Sequence, residues 1–447
     1  MLEGTSDSRK KLTAPFAAER DLHEKRWRDK ADADAARGKL SRAWRGERLF
    51  PKESEKKTWE DLMRAEAEHD NVEFDKRHIL EKSKKEFEAW QVLLHRVIEG
   101  FKQRVADPDD TDNGTLIIMW PGGMKGAYTA GRAVGLQKMG VKGKVVDMVI
   151  GTSTGAVVAT PFVEGTEALL KSTTMMIEEL ASEDFINPYS PMRWMKRNVI
   201  RLQKIKELWT EGEYKIDEGA IKKSPTDLIY TVTEPMKGDE EPKVKYLDAK
   251  TIKPGMIDGV IASMSIPLMT GKIPKIDGKT YNDGGFGLKN IEDDIAEFTR
   301  RRGKPPKNVL ILPTTPFETL EEMKPSKGEI KIAQFVRRQA EKMVKAGSGA
   351  RAGSLYQAER GLLLKGELRK SVELIRKQTG INVAIMWDWD EDVSFVDIDG
   401  DKMRSAYLSS GRDVYKQWGA EQPEEFPYYV SNKQKLKNAI NDFKQAA

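Results

Sequence analysis

The sequence predicts an α/β fold with a mostly parallel central sheet and an N-terminal helical extension. Three observations carry this. Apolar runs at Thr115-Leu116-Ile117-Ile118-Met119-Trp120, Val145-Val146-Asp147-Met148-Val149-Ile150 and Asn308-Val309-Leu310-Ile311-Leu312 have the composition of strands buried on both faces. The first two are each followed by a glycine-rich turn and then a helical run. Successive strands joined by such a helix pair in parallel with a right-handed crossover. The two turns then share one edge of the sheet, where open α/β folds place ligands.

The chain has 447 residues, 38% hydrophobic and 33% charged, enough to bury a sizeable core in a large α/β domain with an appendage. A net charge of +5 does not advertise a nucleic-acid partner, and none is expected. The absence of cysteine excludes disulfides, thiolate zinc sites and cysteine nucleophiles. Met1 to Lys11 is charged and lacks the apolar core of a secretory signal, and no run approaches 18 uncharged apolar residues. The expected location is cytoplasmic or peripheral at a membrane surface, with export as an effector left open.

In chain order, residues 1–106 read as a charged, partly helical extension. From about residue 80 its pattern firms: Phe87, Trp90, Leu94, Val97 and Phe101 recur at three and four, a helix with one buried face that packs against the downstream domain. Asp107-Pro108-Asp109-Asp110-Thr111-Asp112-Asn113-Gly114 resembles a calcium loop but lacks the glycine at position six and the glutamate at position twelve. It reads as a turn, and the domain boundary is placed there, giving 107–447 as the α/β domain.

The first strand delivers Pro121-Gly122-Gly123-Met124-Lys125-Gly126, then a helix from 127 to about 139. A glycine-rich loop between strand and helix is an anion cradle. It matches neither G-x-x-x-x-G-K-[S/T] nor G-x-G-x-x-G. What remains is a loop whose amides face an oxyanion, or a glycine turn for tight packing. Lys125 adds positive potential there or is simply solvated.

The second strand delivers Gly151-Thr152-Ser153-Thr154-Gly155, the G-x-S-x-G pattern of a nucleophile elbow. The plain alternative is a Gly/Ser turn. All four histidines (His23, His69, His78 and His95) precede the first strand. The usual hydrolase order places the histidine after the nucleophile, so a triad could be completed only by the N-terminal segment or by a partner; otherwise Ser153 needs a different base.

Residues 165–226 read as a polar helical cap or insert. Between Pro191 and Trp209, Met192, Met195, Val199, Leu202, Ile205 and Trp209 form a helical stripe among Arg193, Lys196, Arg197, Arg201, Lys204 and Lys206. Such a helix either lies on an anionic lipid surface or packs one face on the domain. Asp227 to Thr233 reads as a strand, followed by a charged hairpin-like stretch to Leu247. A short helix over 256–264 and an Asp277-Gly278 turn lead to Asn282-Asp283-Gly284-Gly285. Residues 320–447 read as a C-terminal helical region, helical and basic over 329–379, with late strands at 383–387 and 393–396. Asp397-Ile398-Asp399-Gly400-Asp401 lacks EF-hand spacing and reads as a turn. No metal or cofactor is expected.

Three ordered stretches resemble the patatin-like phospholipases. Gly122-Gly123-Met124-Lys125-Gly126 looks like that family's oxyanion loop, Gly151-Thr152-Ser153-Thr154-Gly155-Ala156 like its nucleophile motif, and Asp283-Gly284-Gly285 like its D-G-[G/A] motif. Ala262-Ser263-Met264-Ser265-Ile266-Pro267 and the residues from Ile276 to Asn282 are similar to the segment leading into that aspartate. Two positions depart: Pro121 stands where the family usually has glycine, and Gly287-Leu288-Lys289-Asn290 replaces its usual Asn and Pro.

The resemblance implies a three-layer sandwich and a serine–aspartate dyad without histidine, in keeping with the histidine census. Ser153 is then the nucleophile and Asp283 the base, with the amides of Gly123, Met124 and Thr154 around the oxyanion. The implied activity is phospholipase A-type hydrolysis of lipid acyl esters. The alternatives are a soluble carboxylesterase or thioesterase, and a catalytically silent interaction protein or secreted effector that needs an activating protein partner.

Overall fold

The computed structural model describes residues 76–187, 190–196, 198–235, 243–266, 269–287, 291–314, 380–386, 398–431 and Gln434. Most of the predicted extension, the helices expected over 329–379, the strand expected at 393–396, Trp387 and Leu288-Lys289-Asn290 lie outside these residues. The chain divides into two compact units, Met1–Lys76 and Arg77–Ala447.

Within the second unit, the described strands form a seven-stranded sheet: β1 (Thr115–Met119), β2 (Met148–Thr152), β3 (Asp227–Thr233), β4 (Val244–Asp248), β5 (Asn282–Asp283), β6 (Asn308–Leu312) and β7 (Asn382–Ile385). Its order is β4-β3-β2-β1-β6-β7, with β5 also on β3. The β1–β2, β2–β3, β1–β6 and β6–β7 pairs are parallel; β4 and β5 run antiparallel to β3. Every residue of β1, β2 and β6 is buried, as their unbroken apolar runs require.

The described helices are α1 (Lys76–Ala106), α2 (Gly126–Lys138), α3 (Thr154–Glu164), α4 (Thr166–Met175), α5 (Pro191–Met195), α6 (Gln203–Thr210), α7 (Glu218–Lys223), α8 (Met256–Ser263), α9 (Ile291–Arg302) and α10 (Gly400–Trp418). The steps from β1 to β2 and from β2 to β3 go the same way along the sheet. Right-handed crossovers therefore put α2 and α3 on one face, and the return step toward β6 carries α9 to the other. Leu93, Leu94, Val97, Ile98 and Phe101 of α1 lie in the same core as the sheet. The turn after residue 106 thus falls inside this unit. Far along the chain, α10 adds Met403, Tyr407 and Val414 to that core, and the Asp399 carboxylate caps it by accepting from the amides of Asp401 and Lys402.

The 165–226 region is helical but broken. The expected amphipathic helix between Pro191 and Trp209 is corrected to two short helices, α5 and α6, because the intervening chain forms antiparallel bridges, Asn198 with Thr270 and Ile200 with Ile186. The break splits the apolar stripe. Met192 and Met195 are 63% and 84% exposed, whereas Val199, Leu202, Ile205 and Trp209 are buried. Three of the basic residues meet nearby acids closely: Arg201 and Lys204 reach Asp184 at 3.0 and 3.1 Å, and Lys206 reaches Asp258 at 2.8 Å.

Candidate active site

Sheet register brings together two residues 130 positions apart. On one edge of β3, the pairing with β2 ends at Thr152 opposite Thr231. At Ser153 the chain leaves the sheet. The same edge of β3 is then taken up by β5, whose Asp283 stands opposite Val232. Asp283 therefore occupies the place along β3 where β2 would have continued. The Ser153 hydroxyl donates to Asp283 Oδ2 at 2.6 Å.

Ser153 sits at φ 53°, ψ −123°, between the last strand residue and the first turn of α3. Non-glycine residues adopt such backbone only when their surroundings impose it. Packing helps impose it here. A Cβ on Gly155 would lie 2.2 Å from the Met119 carbonyl oxygen, and one on Gly151 would lie 2.7 Å from Ala156 Cα. The glycines at both ends of G-x-S-x-G let the helix fold back tightly onto the strands. Thr152 ends β2, and Thr154 opens α3.

Asp283 is buried, and each of its polar groups is engaged. Its second carboxylate oxygen accepts from the Gly285 amide at 2.7 Å. Its own amide donates to the Ser265 carbonyl at 2.7 Å, and its carbonyl accepts from the Thr233 hydroxyl at 3.0 Å. Burial pushes its pKa up to about 6, with the bonds from Ser153 and Gly285 acting in the opposite direction. Gly284 and Gly285 form the tight turn that carries the Gly285 amide back to the carboxylate.

The Gly122–Gly126 loop follows β1, the neighbour of β2. Gly123 has φ +58°, a left-handed conformation suited to glycine. Gly123, Met124 and Lys125 form a single 3-10 turn, and Gly126 begins α2. Gly126 touches the elbow: a Cβ there would lie 2.1 Å from Thr154 Cγ2. The amides of Gly123, Met124 and Thr154 are taken by no backbone acceptor among the described residues. Gly122 packs against Thr314, whose hydroxyl donates to the Pro121 carbonyl.

A cavity opens directly onto Ser153. It is lined by Gly123, Met124 and Thr154 and by Met176, Leu180, Phe185, Ile186, Ile200 and Leu202. The last six come from the 165–226 insert, a role its sequence did not suggest. Also unassigned was Ser263, whose hydroxyl accepts from the Ser153 amide at 2.9 Å. The only local sign of it was its place in the segment from Ala262 to Pro267. His95 is exposed on α1.

The family model described as patatin-like phospholipase matches residues 122–294, from the start of the glycine-rich loop to just beyond the Asp283 turn. Residues 122–294 are thus similar to a family whose members are generally lipid acyl hydrolases. Among solved structures, the chain is similar to VipD from Legionella pneumophila, at 12% identity over 68% of this chain and 67% of that one, with a TM-score of 0.31. A search of curated proteins gives no match.

Proposed function

We propose that this chain is a phospholipase A-type lipid acyl hydrolase with a Ser153–Asp283 dyad. The observation that carries the reading is the buried 2.6 Å bond from the Ser153 hydroxyl to the Asp283 carboxylate, at the mouth of an apolar cavity. Ser153 Oγ attacks the ester carbonyl while Asp283 takes its proton. The tetrahedral oxyanion is held by the amides of Gly123, Met124 and Thr154; one such donor is typically worth about 10²–10³ in rate. Asp283 passes its proton to the departing alcohol. It then draws a proton from water, whose oxygen attacks the acyl-serine, and returns that proton to Ser153 Oγ as the acyl–oxygen bond breaks and the fatty acid leaves.

An ordinary aspartate is too weak a base for this work at neutral pH, and burial brings Asp283 closer to the operating range. The acyl chain lies along Met176, Leu180 and Ile200. The exposed Met192 and Met195 sit on the chain between Ile186 and Ile200, two bridged residues that line the cavity. That segment is the part of the protein that meets the lipid surface.

Fatty-acid release from phospholipid vesicles tests the reading, with Ser153→Ala and Asp283→Asn each checked for folding by circular dichroism. Each variant is expected to lose at least about 10³ in rate. Undiminished release by either folded variant defeats the dyad. Equal turnover of a monomeric soluble ester and of vesicles would favour the soluble esterase instead, and a parent protein silent on both would favour the interaction protein.

A further inference from the structure

The strained turn at Ser153 needs something to hold it, and the glycines on either side account only for clearance. The Ser153 amide is buried, at the point where the chain leaves β2. It donates to Ser263 Oγ at 2.9 Å, and the same hydroxyl donates to the Thr231 carbonyl at 2.7 Å. Ser263 is fully buried. Thr231 is the last β3 residue opposite β2, and its successor, Val232, stands opposite Asp283. One hydroxyl therefore ties the serine's backbone to the strand that seats the aspartate. Two residues further on, the Ser265 carbonyl accepts the Asp283 amide at 2.7 Å. A three-residue stretch at the end of α8 grips both members of the pair.

We propose that Ser263 is a positioning residue for the reaction, setting the separation of Ser153 and Asp283 through the Ser153 backbone. The inference rests on the dyad reading. It has a corollary for the oxyanion: the Ser153 amide is committed to Ser263, which leaves that task to Gly123, Met124 and Thr154. Loss of the Ser263 hydroxyl takes from the buried Ser153 amide the acceptor that holds it, so the turn relaxes. A misplacement of about 1 Å at a reacting group can cost about 10²-fold in rate.

The test measures kcat and KM for a soluble ester across pH in the full chain, with rates taken per fluorophosphonate-reactive site so that unfolded material does not count. Ser263→Ala is expected to lower kcat about 10–100-fold with KM little changed. It should also move the acid limb of the pH profile upward, since the Ser153 bond that lowers the Asp283 pKa is weakened. Ser263→Thr, which keeps the hydroxyl, should restore most of kcat and return the limb. Ser410→Ala is the control: Ser410 is also fully buried, but among the described residues its hydroxyl bonds its own helix α10. That variant should match the parent in both readouts. Parental kcat and an unmoved limb in Ser263→Ala overturn the proposal, as does an equal effect in Ser410→Ala. Ser153→Ala, which lacks the reactive serine and is therefore compared per mole of protein folded by circular dichroism, separates the two levels: if it is inactive while Ser263→Ala is parental, only the positioning role fails; if it is active, the dyad fails as well.

Discussion

Asp283 is a charge that the fold does not favour. Its pKa rises from the usual 3.8 to about 6 because burial strips water from the carboxylate. For a group whose folded pKa is raised, the stabilising contribution is full below the unfolded value and disappears as pH climbs through the folded one. The shift spans about 2 units, so the fold is penalised by about 3 kcal/mol once the pH is above about 7. Asp283→Asn is therefore expected to unfold at higher denaturant than the parent at pH 8, by about 1–3 kcal/mol, and to lose that advantage at pH 4. Denaturant titrations at the two pH values check this; a parent more stable than the variant at pH 8 would contradict it. Activity runs the other way, since only the ionised carboxylate takes the serine proton. The rate should fall as pH drops through about 6. At this scale the sequence was legible wherever the chemistry is local. The glycines flanking Ser153 and following Asp283 are demanded by tight turns within a few residues. Ser263 was not legible, because its role depends on a contact with an amide 110 positions away.

At the scale of elements, β1, β2 and β6 were legible because a strand buried on both faces leaves an unbroken apolar run. The stretch from Pro191 to Trp209 was not. Its spacing of three and four continues across the Asn198 and Ile200 bridges, and spacing alone does not register a break made by pairing with distant chain. The consequence is functional. A continuous helix would have turned all six apolar residues one way; the break turns four into the core and leaves Met192 and Met195 outside. Their replacement by serine together should weaken binding to phospholipid vesicles, by about 1–2 kcal/mol for each apolar side chain that had entered the lipid. Hydrolysis of a soluble ester should remain at the parental level, since neither residue lines the cavity. Co-sedimentation with vesicles reads the first effect and a chromogenic ester the second. Unchanged co-sedimentation would remove this segment from the lipid contact.

At the scale of the whole molecule, the question is where the working unit begins. The turn-rich stretch from Asp107 to Gly114 suggested a boundary there. The core places α1 inside the second unit, in keeping with the apolar spacing of its last turns, because burial is set by what a side chain meets across space and a turn in the chain does not report it. Leu93, Leu94, Val97, Ile98 and Phe101 are all buried with the sheet, and Arg104 bonds Asp147, whose other carboxylate oxygen accepts the Thr115 amide at the start of β1. Five such apolar side chains contribute roughly 8–15 kcal/mol on burial, at about 1.5–3 kcal/mol each, which is as much as the entire stability of a typical domain, about 5–15 kcal/mol. Two truncations should therefore differ in kind. A chain starting at Arg77, the first residue of the second compact unit, should fold cooperatively and keep soluble-ester hydrolysis within a few-fold of the full chain. One starting at Asp107 should lose its cooperative transition and its activity together, although it retains Ser153, Asp283 and the glycine-rich loop. Thermal unfolding followed by circular dichroism, alongside ester turnover, distinguishes the two; a cooperative, active protein from the shorter chain would show that α1 is dispensable to the core.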